Sequence, residues 1–242
     1  MKFNVHAGHN PDGKIACGAV GILKESTEAR KVVKYLIKYL KAAGHTVYDC
    51  TCNDGTSQVD VLNRIVRKCN SHNVDLDISI HLNSGANDKA GNKKTTGSEC
   101  LIYPGAQKVD SVGANICLQI EHLGYKNRGV KTSKTLMFLN STKAPAILVE
   151  CAFIDDKDDA KLWNAKKMAR AIAIGILNSY ANQVYTAKKK VSLCDVHGKK
   201  NGKKKLKGSK ISLNQYKFIK GKFYGKIKGG KSWVRLKNLE LV

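Results

Sequence analysis

Apolar positions along this chain follow two different periods, and the switch between them outlines the architecture. Over residues 25–43, Ala29, Val32, Val33, Leu36, Ile37, Leu40 and Ala43 recur at steps of three and four. That is one stripe of an amphipathic helix, and Gly44 follows where a helix can close in the left-handed region. The same period predicts helices over 58–71, over 107–123, and from 156 to about 182. Between them lie short runs rich in β-branched residues, predicting strands at 2–5, 46–50, 75–81, 98–103, 135–139 and 146–149. Strands alternating with helices over about 180 residues predict an α/β domain with a mostly parallel, twisted sheet flanked by helices.

The pattern changes near the end of the chain. Residues 183–190 end in three lysines and predict a linker. Beyond them, strand-like runs at 191–194, 211–218, 222–227, 233–236 and 239–242 are punctuated by glycines. Five short strands with Tyr216, Phe218, Phe223, Tyr224 and Trp233 predict a small all-β barrel.

Composition sharpens this division. The 242 residues carry a formal net charge of +24, which predicts a polyanionic partner or surface. From Lys188 onward there are 18 Lys and Arg against Asp195 and Glu240 only, so most of the excess sits in the tail. No apolar run approaches a membrane span, so no membrane insertion is expected. The polar N-terminus, MKFNVHAGHN, has no secretory h-region, predicting synthesis in the cytoplasm. The eight cysteines are scattered, predicting free thiols rather than a disulfide framework. Only Cys50 and Cys52 lie close in sequence, a weak zinc signal without a second cluster.

Candidate chemistry gathers at predicted strand ends. The first strand runs into His6-Ala-Gly-His9, and the strand DLDISIHLN delivers His81 and then Asn83. At 100° per residue, Glu25 lies about 45° from the centre of the first helix's apolar stripe, and Glu28 about 105° away. An acid facing the core needs a proton, a cation or a metal. His9, Glu25 and His81 therefore form a candidate ligand set, two imidazoles and a carboxylate with a fourth position open, as in catalytic zinc sites. His6 is the rival to His9. The run ILVE ends in Glu150, flanked by Val149, Cys151 and Phe153, a setting for a general acid–base carboxyl. HExxH and GxSxG patterns are absent.

The order AGH, a helix opening with Glu and ending in GHTV, then SIHLN, GSE and APAILVE–AF resembles the zinc-dependent N-acetylmuramoyl-L-alanine amidases. Within these it is most similar to phage endolysins and clostridial or bacillar autolysins, over roughly residues 1–180. The resemblance implies that residues 1–182 are a zinc amidase catalytic domain, with Zn2+ held by His9, Glu25 and His81 and with Glu150 catalytic. It implies cleavage of the amide between muramic acid and L-alanine, with peptidoglycan as substrate. Asn83 would line the substrate cleft. The family's AGHGG continuation is replaced by Asn10-Pro-Asp, leaving the role of these residues open. Residues 191–242 resemble SH3-like cell-wall-binding domains, implying contact with anionic wall polymers rather than nucleic acid. A cytoplasmic lysin of this kind would reach the wall through a partner hole-forming protein. Two other readings stay open: a zinc peptidase cutting the stem peptide, and a non-catalytic wall- or nucleic-acid-binding protein with a structural zinc.

Overall fold

A computed structural model describes residues 1–180 and 182–242; Ala181, inside the span expected to be helical up to Asn182, lies outside the described residues. The elements run β1 (Lys2–Ala7), α1 (Glu25–Ala42), β2 (Thr46–Asp49), α2 (Gln58–Asn70), β3 (Leu76–Asn83), β4 (Ser98–Ile102), α3 (Gln107–Glu121), β5 (Asn127–Thr132), α4 (Met137–Ser141), β6 (Ala146–Phe153), α5 (Lys157–Leu162) and α6 (Ala165–Ser179). The C-terminal strands are β7 (Gln183–Ala187), β8 (Val191–Cys194), β9 (Lys200–Lys205), β10 (Lys210–Ile219), β11 (Lys222–Ile227), β12 (Trp233–Arg235) and β13 (Leu239–Leu241).

Six strands form a central sheet in the order β2-β1-β3-β6-β4-β5. All neighbours are parallel except β4 and β6, so the sheet is mixed and mostly parallel. Helices flank it on both faces, which is why β6 is almost continuously apolar and why β3 is buried from Leu76 to Ile80 even at its polar positions. One face packs Phe3, Val5, Ile78, Ile80, Ile147 and Val149 against the stripes of α1, α3 and α6. The other meets a smaller cluster of Val61, Ile65 and Cys69 from α2 with Phe138 and Leu139 from α4.

Three expectations are corrected here. Residues 135–139 were expected to be a strand, but Met137–Ser141 is a short helix. A four-residue apolar run carries no period of its own, and here Phe138 and Leu139 close over α2. The single helix expected from 156 onward is two, because Trp163 leaves helical geometry and the Asn164 side chain accepts from the Lys167 N–H to start α6. The linker expected at 183–190 contains β7, paired with β10 and β13. Its Tyr185 and Ala187 are buried, an alternation that the following lysines mask.

The strands after residue 182 form one antiparallel sheet in the order β13-β7-β10-β11-β12-β8-β9. This small β unit packs on the α/β part: Tyr39 of α1 meets Phe218 and Phe223 edge-on, and the Asn178 side chain accepts from the Tyr216 N–H at 2.8 Å. No disulfide is present among the described residues, and seven of the eight thiols are buried. Among the described residues, no helix is long and apolar enough to cross a membrane.

Three acids between 155 and 159 fix the insertion at 84–97: Asp155 accepts from the N–H groups of Gly85, Ala86 and Asn87, Asp156 from that of Thr96, and Asp159 from that of Gly97. Backbone donors of a glycine-rich loop are thereby satisfied by carboxylates at the start of α5.

Helices α3 and α6 touch closely at Gly175. A Cβ there would lie 2.7 Å from Ile116 Cα and 2.8 Å from Ile116 N, both backbone atoms that cannot rotate away. Replacing a helical glycine by alanine gains up to ~1 kcal/mol in propensity, whereas overpacking costs ~1–3 kcal/mol. Gly175→Ala is expected to lower stability by about 1–2 kcal/mol, read as an earlier midpoint in denaturant unfolding. A midpoint equal to or later than the parent's would show that α3 and α6 separate without cost.

Candidate metal and catalytic site

The site lies where β1, β3 and β6 end and α1 begins. In register, β1 residues His6 and Ala7 face Ser79 and Ile80 of β3, and His81 faces Glu150 of β6. The chain leaving β1 therefore passes His81 at once. Gly8 is required there, because a Cβ would fall 1.8 Å from the His81 ring. Gly18, at φ +79°, leaves similar room: its Cβ would lie 2.6 Å from Glu25 Oε2 and 2.8 Å from the His9 ring.

Glu25 is the first residue of α1 and only 5% exposed. Its Oε1 is 3.1 Å from His9 Nε2 and 3.0 Å from His81 Nδ1, and the three donor atoms lie within 4.8 Å of one another. The Ala19 N–H donates to Glu25 Oε2 at 2.9 Å, fixing the carboxylate from behind. Burial by itself would raise the Glu25 pKa, but hydrogen bonds from His81 and His9 outweigh it and hold the carboxyl well below the usual range. Burial also lowers the His81 pKa, partly offset by Glu25. Two imidazole nitrogens and one ionised oxygen thus converge on a point, a donor set that fits a divalent metal, whose binding would displace the two N–H protons. Glu28 is elsewhere, pairing with Lys31 and accepting from the Trp163 indole N–H. His6 is also outside the set. It is buried against Phe138, donates from Nδ1 to the Ala7 carbonyl, and has its pKa lowered to about 3 by burial.

Glu150 stands beside this cluster. It was expected at the end of its strand, but β6 continues through Phe153, so Glu150 sits within the ladder between His81 and Glu99 of β4. Its Oε2 is shielded and has no hydrogen-bond partner. Burial, then the negative charges of Glu25 and Glu99, push its pKa up to about 8. Glu99 itself stays ionised: burial opposes this, but hydrogen bonds from Arg128 at 2.6 Å and Lys131 at 2.5 Å prevail.

His9, Glu25, His81, Asn83 and Glu150 all line one cavity of about 390 Å³. Asn83 reaches its rim, with Nδ2 donating to Glu99 at 3.2 Å and Oδ1 accepting from the Ser84 N–H. The opposite wall is apolar and includes Leu136, Met137 and Phe138. Sequence reasoning missed this wall, since these residues were expected in a strand. It also left Asn10 without a role. Asn10 is fully buried, donating to the Ile15 and Gly55 carbonyls and accepting from the Gly55 N–H. Arg30 completes the brace by donating to the His9 and Cys52 carbonyls at 2.7 Å each. Arg30 faces polar loops from the same helix that supplies Glu25, a signal visible only once the loops are in place.

Residues 4–182 match the N-acetylmuramoyl-L-alanine amidase family model. Among curated proteins, the chain is 36% identical over 167 residues to an uncharacterised protein of Clostridium perfringens, covering 69% of this chain and 48% of that one. It is 29% identical over 191 residues to the endolysin of Bacillus phage SPP1, covering 76% and 66% respectively. The chain thus spans about half to two thirds of the length of these relatives. Among solved structures, the catalytic domain of the CD27L endolysin targeting Clostridia Difficile superposes with a TM-score of 0.65 at 28% identity, covering 74% of this chain and 97% of that one. By its sequence over residues 4–182, this chain belongs to the N-acetylmuramoyl-L-alanine amidase family.

Proposed function

We propose that this chain hydrolyses the amide between N-acetylmuramic acid and L-alanine in bacterial peptidoglycan, as a wall-lysing enzyme of the endolysin type. The observation that carries the reading is the convergence of His9, Glu25 and His81 on one point, with Glu150 unpartnered on the same cavity. His9, Glu25 and His81 would hold Zn2+, which when bound supplies Lewis-acid polarisation of a carbonyl and acidification of water. Only three side chains gather there among the described residues, leaving an open position as catalytic rather than structural zinc sites do.

Glu150 then acts as base and acid. A carboxyl whose proton affinity is raised toward neutrality can take a proton from the attacking water and pass it to the departing alanine nitrogen. The products are a lactyl carboxylate and a free L-alanine amine. Glu99 keeps Glu150 from ionising too readily, and Asn83 and the wall at 135–138 border the substrate. The C-terminal β unit, 191–242 with β7 added, is proposed as an SH3-like wall-binding domain. Its basic surface would hold anionic wall polymers by many weak contacts. Such a chain works at the wall, and a lysin made in the cytoplasm needs a membrane hole formed by another protein to arrive there.

Digestion of purified cell walls, with and without a chelator, tests the reaction and the metal together. New N-terminal L-alanine, found by mass spectrometry only when zinc is present, is expected; cleavage within the stem peptide would replace the amidase reading with a peptidase. Glu150→Gln should keep zinc and wall binding while lowering hydrolysis by at least ~10²-fold, since it removes the proton carrier alone. Near-parental turnover would remove Glu150 from the mechanism. For the metal set, elemental analysis should find zinc depleted in Glu25→Ala and retained in Glu28→Ala. Equal zinc in the two variants would mean that Glu25 is not a ligand.

A further inference from the structure

A second concavity, of about 380 Å³, lies between α1 and the C-terminal sheet, away from the residues of the catalytic cavity. Tyr39, Phe218 and Phe223 form its floor, and Lys38, Lys222, Arg235 and Lys237 its rim. No acidic side chain lines it, and none of the four cations takes part in a salt bridge among the described residues. Four like charges around one depression repel each other, and nothing within the fold compensates them.

The other concentration of lysines has a structural account. Lys200, Lys203, Lys204 and Lys205 are exposed on β9, the edge strand of the C-terminal sheet. Lysines on an edge strand block pairing with other chains. The rim of the groove protects no strand edge in this way, because Lys222 and Arg235 belong to the interior strands β11 and β12.

The floor narrows the chemistry of the occupant. Phe218 and Phe223 are packed edge to face at 4.9 Å, and Tyr39 meets them at 5.7 and 5.4 Å in the same manner. The Arg170 guanidinium lies over the Phe218 ring at 5.2 Å. These faces are engaged by one another, whereas nucleic-acid bases need free rings on which to stack. What remains is a low apolar surface ringed by cations, suited to a flexible chain of sugars or polyols joined by phosphates.

We propose that this groove binds the phosphodiester polymer of the bacterial wall, a specific seat for the wall attachment inferred above, on which it rests. Because α1 supplies one side and the C-terminal sheet the other, a bound polymer contacts both parts of the chain. Attachment and the hydrolytic site are then held in fixed relation, through the helix that begins with Glu25.

Titration calorimetry of the full chain with soluble poly(glycerol phosphate), near physiological ionic strength, tests the proposal. The double variant Lys222→Glu/Lys237→Glu is compared with Lys203→Glu/Lys204→Glu, which changes the net charge equally on β9. Circular dichroism and melting confirm that both pairs fold as the parent does. The groove pair is expected to weaken binding by about tenfold or more and the β9 pair by less than about threefold, since exposed single charges contribute little without a shaped site. Equal losses in the two pairs, or no binding by the parent, would overturn the proposal. So would binding of poly-glutamate or single-stranded DNA as tight as that of the polymer and equally sensitive to the groove pair. The parent is assayed separately on a soluble muropeptide: failure there would overturn the amidase reading, while the calorimetry would still judge the groove.

Discussion

A buried carboxylate between two imidazoles sets the terms for the rest of the α/β part. Removing Glu25 from water is costly unless its charge is met by donors, and the donors arrive from three elements. His9 comes from the loop after β1, His81 from β3, and the Ala19 and Leu82 N–H groups from the adjoining backbone. The N-terminus of α1 adds a favourable field for the anion. For all of these to meet, α1 must begin where β1 and β3 end, and the intervening backbone must be bare. Gly8 and Gly18 meet that second condition, each standing where a methyl group would displace a ring or the carboxylate. Asn10 and Arg30 then tie the same loop to its neighbours, so the residues after His9 serve its placement.

The same electrostatics divides labour between two acids. Glu25 is held ionised by His81 and His9, while Glu150, one strand further across the sheet, is pushed toward its protonated form by burial and by the charges of Glu25 and Glu99. Carboxyls of one kind thereby acquire opposite proton affinities within a single cavity, a separation that acid–base chemistry uses. Glu99 takes part from outside that cavity. Its charge is fixed by Arg128 and Lys131, and it faces Glu150 across the β4–β6 pairing. That pairing is the antiparallel exception in the sheet, and without it Glu99 and Glu150 would not be opposed in this register.

What the amino-acid pattern reveals and what it hides follow from the same physics. Helix α1 is legible because its stripe is long, and the angle of Glu25 to that stripe already separates it from Glu28, which the structure turns toward Lys31 and Trp163. Glu150 is legible because it interrupts the apolar run of a buried strand, and His81 because it follows the β-branched alternation of Ile78 and Ile80. The apolar wall at 136–138 is not legible, since Leu-Met-Phe-Leu has no period in four residues and takes its form from packing on α2. Strand β5, Asn-Arg-Gly-Val-Lys-Thr, is equally hidden: it is an edge strand, partly exposed, and polar residues suit that position. Strand β9 is hidden for the same reason, its lysines giving no alternation to read.

The segment at 183–187 decides how the tail is mechanically joined to the α/β part. A flexible linker at 183–190 would let the basic unit wander at the end of a tether, with an effective concentration set by tether length. Instead, β7 enters the C-terminal sheet directly after α6, and Tyr185 of β7 hydrogen-bonds Tyr216 of β10, whose N–H is held by Asn178 of α6. Apolar residues of that sheet continue the core that begins beneath α1 and α6. The basic surface is thus presented by a packed neighbour rather than a tethered one, joined to α1 by the aromatic contact of Tyr39 with Phe218 and Phe223. Under the proposed function, affinity for the wall and access to the scissile amide would be coupled through one helix, because the helix that carries Tyr39 also begins with Glu25.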